Sequence, residues 1–269
     1  HLSEKQGVGS SILPLATKMN EYQYNFSDNH QSLFDSNIKI IKSKKTIAVL
    51  EDYLGDLKNL NLLDIGCSSG IMTFEYAKYF NMVTGIDLDS KAVEFAIINN
   101  QPNNIKYMIG PIEESGLLPN TFDVITCSNI YEHVPSAQVL MDKIFTLLKE
   151  GGTCYFTAQN RYNLDIIEPH YKLPFLSWLP KKIAHYYIRI FTNENSYYET
   201  HLSMRKLKKL TSKFEVTDYT LEIIKNPEKY FATDMLKEKS FKHYLVRLIS
   251  IVFYYFFPTY VFLLKKPLG

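Results

Sequence analysis

In the stretch "LLDIGCSSGIMTFEYAKYF", residues 62–80, an apolar run gives way to helical spacing across two glycines, Gly66 and Gly70. A strand that ends in glycine and opens onto a helix brings backbone N–H groups and the positive helix end close to a ligand, with no Cβ in the way. Asp87 follows 21 residues after Gly66, at the end of the next apolar run, where a carboxylate can accept both hydroxyls of a ribose. The pair suits a nucleotide or nucleoside derivative. A dinucleotide fits poorly, because Ser68 and Ile71 stand where the Gly-x-Gly-x-x-Gly fingerprint needs its second and third glycines. No Gly-Lys-Ser/Thr follows the turn, which excludes a Walker A loop. The competing reading is a glycine-lined crossover that binds nothing. Histidine as a residue type titrates near neutral pH, which makes His133, His170 and His201 the candidate bases.

The elements that must position these residues alternate regularly. A helix over 37–54, ended by Gly55, leads into strand 60–65, helix 71–80, strand 82–86, helix 90–98 and strand 105–109. Strand 122–127, helix 136–149 stopped by Gly151 and Gly152, and strand 153–157 continue the series. Repeated βα units with short connections require a parallel sheet covered on both faces. Residues 159–213 break the rhythm with Pro169, Pro174, Pro180, many aromatics and a helix after Ser203, and read as an insertion over the carboxyl edge of the sheet. A strand over 214–224, a helix over 241–257 and a last strand over 259–264 complete the chain. The division is an N-terminal arm 1–36, a core 37–158, a lid 159–213 and a completion of the core sheet 214–269. Tyr22 and Tyr24 of the arm belong either to the lid or to core packing.

The 269 residues carry a formal charge of +2, far below the basic excess that nucleic-acid binders concentrate, so no nucleic-acid partner is expected. Cys67, Cys127 and Cys154 have no metal-ligand spacing and fall in or beside apolar runs, so they read as reduced core residues in a cytoplasmic setting. The chain opens on His1 and a polar Gly/Ser-containing stretch, which reads as added or processed sequence without signal-peptide architecture. Residues 248–264 are charge-free, but Pro258 divides them, and a helix followed by a buried closing strand explains the run without lipid. Between these extremes lies peripheral contact with the inner face of a membrane, for which "LPFLSWLPKKIAHYYIRIF" has a suitable mix of aromatics and cations. The basic run 205–209 reads as a solvated helix face.

"LLDIGCSSG", "GIDLDSKAVEFA", "TFDVITCSNIYEHV" and "LKEGGTCYFTAQN", in this order and spacing and with the closing "PTYVFLLKKP", resemble the successive motifs of class I S-adenosylmethionine (SAM) dependent methyltransferases. The resemblance implies a Rossmann-like seven-stranded, mostly parallel α/β sheet with helices on both faces, its last strand antiparallel, plus a helical, aromatic-rich lid. It places SAM across the carboxyl ends of the first four strands. Carried over by position, Asp64, Gly66, Cys67 and Gly70 would flank the methionine part, Asp87 would hold the ribose and Leu88 would pack on the adenine. Ile112 and Glu113 would border its other edge, and Ser128 and Asn129 would lie near the sulfonium. Pro111 stands where an aspartate to the adenine amine is common.

The product would be S-adenosylhomocysteine (SAH), and the acceptor an oxygen of a small molecule, sugar or lipid-linked compound, with nitrogen or carbon acceptors and a non-catalytic SAM-binding module as alternatives. "EHV" also resembles the stretch after strand four in quinone-biosynthesis O-methyltransferases, where acids and a histidine have been linked to a metal. Asn129 replaces one such acid, leaving Glu132 and His133, so no metal is expected. His133 serves either as base or as a loop anchor. His201 resembles an acceptor-facing histidine of small-molecule and glycan methyltransferases, or else supports the helix that Ser203 caps. His170 falls in the lid.

Overall fold

The computed structural model describes Tyr22, Tyr24, Ser27 and residues 34–162, 167–168, 171–192, 194, 196–234 and 236–269. Helix α1, Ser36–Leu54, starts where the Asp35 carboxylate accepts from the Asn37 amide and stops at Gly55, whose φ of 80° a side chain would resist. The β1 strand (Asn61–Ile65), α2 (Ile71–Tyr76), β2 (Met82–Asp87), α3 (Ser90–Asn99) and β3 (Ile105–Ile109) follow, then β4 (Phe122–Ser128), α4 (Ala137–Leu147) and β5 (Leu148–Gln159). The described part of the lid holds a short 3-10 helix at Leu176–Trp178 and α5 (Lys181–Phe191). The chain closes with α6 (Met204–Leu210), β6 (Glu215–Asp218), α7 (Thr220–Lys225), α8 (Phe241–Val252), a 3-10 turn at Tyr254–Phe256 and β7 (Thr259–Lys265).

Seven strands form one sheet in the order β3-β2-β1-β4-β5-β7-β6. The β7 strand runs antiparallel to both its neighbours, while the remaining pairs are parallel. Chain order reverses between β1 and β4, and a crevice at that switch point is where such sheets bind ligands. Alternate residues of β1 serve opposite faces. Leu62 packs with Val49 and Leu50 of α1 and Val93 and Ala96 of α3, whereas Leu63 and Ile65 join Leu140 and Ile144 of α4. Burial on both faces is why the strands read as unbroken apolar runs. All three cysteines are free and buried.

Four expectations need correction. The β5 strand begins at Leu148, paired with Phe122, and a register break between Phe122 and Val124 absorbs the residues that read as the end of a helix. Residues 214–224 are not one strand: β6 stops at Asp218, whose carboxylate accepts from the Thr220 amide, and α7 buries Ile223 and Ile224. Helix α2 ends at Tyr76 rather than at residue 80. Helix α8 ends at Val252 rather than at residue 257, with a 3-10 turn before β7, so the apolar run 248–264 is divided between helix and closing strand as expected, and among the described residues no helix is long and apolar enough to cross a membrane.

The lid has a small core of its own, Leu176, Ala184, Ile188 and Tyr197, distinct from the two clusters on the sheet. Met204, Leu207 and Leu210 of α6 instead join the sheet cluster. Within residues 159–213 the separate cluster thus draws on 171–197, while β5 runs to Gln159.

Candidate active site

The site begins with β1. Asp64, buried at its carboxyl end, accepts from the Thr73 hydroxyl of α2 at 2.7 Å and from the Thr126 hydroxyl of β4 at 2.7 Å. Burial pushes its carboxyl up to about 6. Asp64 thereby ties helix, turn and neighbouring strand together beneath the ligand level.

The turn itself differs from its sequence reading in one physical respect. The amides of Gly66 and Cys67 both donate to the Ile86 carbonyl, that of Ser68 donates to Asp87 and that of Gly70 to the Cys67 carbonyl. The first three hold the β1 turn to β2 and the fourth closes the turn on itself, so these N–H groups are not turned to a ligand. The glycines are required by packing. A Cβ on Gly66, φ 79°, would stand 2.1 Å from Ile130 Cδ1, and one on Gly70, φ 72°, would stand 2.4 Å from the Tyr107 hydroxyl and 2.6 Å from Ala96 Cβ. Cys67 packs with the core, and burial pushes its thiol far up. Asp64, Cys67 and Gly70 thus support the floor, while Gly66 and Ser68 reach its surface.

Over this floor lies a cleft of about 380 Å³ at the switch point, bordered by Gly66, Asp87, Leu88, Ile112, Glu113, Ser128, Asn129 and His133. The Asp87 carboxylate is aimed by two backbone donors, Ser68 N at 2.8 Å and Asp89 N at 3.0 Å, and burial raises its carboxyl above the ordinary range. Asp89 caps α3 through the Ala92 amide and also accepts from the Ser27 amide at 2.7 Å, which brings the N-terminal arm to the cleft. Tyr22 follows: its hydroxyl donates to Glu113 at 3.1 Å, and its ring meets Tyr24 edge-on.

At the β4 end, Asn129 adopts φ 54° and its side-chain oxygen accepts from the Thr157 hydroxyl. His133 borders the cleft, and its Nδ1 lies 3.9 Å from the Glu199 carboxylate of the lid. Lys181 of α5 clamps that segment by donating to the carbonyls of Tyr198 and Glu199 at 2.7 and 2.8 Å, while the Thr200 amide donates to the Glu132 carbonyl. His201 does not face the cleft. It is buried behind Gln159, with Nε2 2.9 Å from the Gln159 side-chain oxygen and Nδ1 2.8 Å from the Tyr197 hydroxyl. His170 lies outside the described residues.

Three contributors escaped the sequence reading. Gln159 borders the cleft at the carboxyl end of β5, a position that strand polarity could have flagged. Lys39 of α1 lies at the other end, with Nζ 3.2 Å from the Ser69 hydroxyl and 3.4 Å from that of Ser68, and burial lowers its ammonium to about 8. Nothing in a helix with four lysines singles it out. Glu199 lies far from the motifs in sequence. Among the described residues no three His, Cys, Asp or Glu side chains converge on a metal site.

A seven-stranded sheet of this order, with an acid at the tip of β2 and a cleft over the β1 turn, is an α/β fold of the Rossmann-like kind. Residues 63–156 match the family described as a methyltransferase domain. Over this stretch, about a third of the chain, the sequence is similar to class I SAM-dependent methyltransferases. A ubiquinone biosynthesis O-methyltransferase of Coxiella burnetii is 35% identical over 107 residues, which are 39% of this chain and 46% of the relative. The chain therefore spans about half the length of the curated relatives it matches. Among solved structures, the YcgJ protein of Bacillus subtilis superposes with a TM-score of 0.53 at 15% identity, over 85% of this chain and 99% of that one. Phosphoethanolamine N-methyltransferase 2 of Haemonchus contortus, solved with phosphomonomethylethanolamine and SAH, gives 0.53 at 17% identity, over 83% and 53%.

Proposed function

We propose that this chain transfers a methyl group from SAM to an oxygen of a small-molecule, sugar or lipid-linked acceptor. The observation that carries this reading is the layout of one cleft, with the doubly braced Asp87 at one side and His133 backed by Glu199 at the other. SAM, when bound, supplies a methyl group already activated by a sulfonium. The protein has then to hold and align the partners and exclude water.

The residues present suit that cofactor. Asp87 offers carboxylate lone pairs to ribose hydroxyls, Leu88 and Ile112 offer apolar surface to a flat base, and Glu113 stands at its rim. Because the turn amides are committed within the chain, the Lys39 ammonium is the group suited to the amino-acid carboxylate. Ser128 and Asn129 border the reacting end. His133 takes the proton of the acceptor hydroxyl, and the nearby Glu199 carboxylate stabilises the imidazolium so formed. His201 acts through Gln159, whose side chain it fixes at the cleft wall together with Tyr197.

Transfer of labelled methyl from SAM to a panel of hydroxylated acceptors tests the reading. His133→Ala is expected to lower turnover by roughly 10²–10⁴-fold, the range of a general base, with SAH affinity within a factor of two or three. Asp87→Ala should do the reverse, weakening SAH on the order of tenfold or more through the loss of charge-assisted hydrogen bonds. Equal turnover by His133→Ala and the parent would remove the histidine from the chemistry.

A further inference from the structure

Helix α8 leaves most of its large apolar side chains exposed. Among its described residues the two most buried are polar, His243 at 4% exposure and Ser250 at 1%, beside half-buried Val246 and Ile249, and His243 Nε2 meets the Ile224 carbonyl at 2.9 Å. Its outward stripe is apolar: Phe241, Leu245, Leu248 and Val252 follow at spacings of four, three and four residues, the repeat of a single helix face, and are 83, 44, 64 and 69% exposed. Tyr244 widens the stripe, and Phe253, Tyr255 and Phe256 extend it through the 3-10 turn. Helices of water-facing surfaces have the opposite arrangement.

Charge frames this face. Lys242 and Arg247 are exposed on its two flanks, Lys237 and Lys239 stand exposed just before it, and Glu238 is the single carboxylate in residues 236–256. Lys208 of α6 lies 5.5 Å over the Tyr255 ring at the far end. We propose that α8 and the following 3-10 turn lie in the plane of an anionic phospholipid bilayer, with the apolar stripe at the acyl boundary and the cations among the headgroups. A second copy of the chain would bring cation against cation across this face, whereas an anionic surface neutralises them. The helix of 12 residues is roughly 18 Å long, too short to span the hydrocarbon layer, so it lies flat. The face communicates with the cleft through adjacent residues: Gln159 borders the cleft, and Asn160 donates to the carbonyls of Tyr255 and Phe257.

Vesicle flotation with the full chain tests this independently of methyl transfer. The parent should float with vesicles containing phosphatidylglycerol, bind pure phosphatidylcholine at least tenfold more weakly, and lose partitioning as salt rises. Leu245→Glu/Leu248→Glu alters only exposed positions. It should keep the parent's far-ultraviolet circular dichroism and melting temperature while losing flotation at least tenfold, and Arg247→Glu should reduce binding to anionic vesicles alone. Failure of the parent to float, or equal flotation of parent and double variant, overturns the proposal. So does a parent dimer in sedimentation velocity that the double variant dissolves while neither floats, since α8 would then be a contact between copies.

Discussion

Lys39 shows how one side chain couples the cleft to pH. Its ammonium is held down to about 8 chiefly by burial, against the pull of Asp64 and Asp87. Between about pH 8 and its ordinary value of 10.5 the folded chain binds fewer protons at this residue than the unfolded chain, so its contribution to stability grows as pH rises through that window and is lost as pH falls through about 8. Charged Lys39 thus weighs against the ligand-free fold at neutral pH, and a bound carboxylate relieves that cost. SAH affinity should accordingly decline as pH rises through about 8 in the parent protein. Lys39→Arg should hold its affinity over the same range, and Lys39→Met should bind more weakly with a flatter profile. Isothermal titration of the three proteins either side of pH 8 checks this, and parallel profiles for parent and Lys39→Met would remove Lys39 from carboxylate binding.

At the scale of elements, the β1 turn was legible as a site but not for the full reason. The Gly66 and Gly70 spacing pointed to a strand-to-helix turn with no Cβ in the way, and both residues have positive φ. What fills the space beside them comes from afar in sequence: Ile130 after β4, and Tyr107 of β3 with Ala96 of α3. Only the fold could reveal those neighbours. The same limit hid the break after β6, because Tyr219, Ile223 and Ile224 have the apolar content of a strand and declare a helix only through the Asp218 to Thr220 turn. Conversely, the central β1 and β4 were readable because burial on both faces leaves an apolar run, and Asp87 because a strand end before a helix is a local feature. His133 was legible by its place after β4, whereas Glu199 meets it across 66 residues of chain. Gly70→Ala is expected to cost about 2–5 kcal/mol, combining a left-handed alanine with overpacking against Tyr107 and Ala96. Denaturant unfolding measures it, and a loss below about 1 kcal/mol would mean that the β3 and α3 contacts yield freely.

The whole molecule is organised so that one ligand would bridge segments with no covalent reason to move together. Lys39 comes from α1, Gly66 and Ser68 from the β1 turn, Asp87 from β2, Asn129 and His133 from the β4 loop and Gln159 from β5. A ligand seated among them binds the folded sheet and not the unfolded chain, so its binding free energy adds to global stability. At a hundredfold excess over its dissociation constant SAH should contribute about 2.7 kcal/mol. For a chain of this size that corresponds to a rise in melting temperature of roughly 5–10 °C. The lid is tied in differently, with its own cluster around Leu176, Ala184, Ile188 and Tyr197 and the Lys181 clamp onto residues 198–200. SAH should therefore slow amide hydrogen exchange most in β1, β2 and β4 and least in α5, because opening of the small cluster need not break the cleft. A folded protein whose melting temperature and exchange pattern ignore saturating SAH would show that the cleft does not hold this ligand, whatever the sheet order.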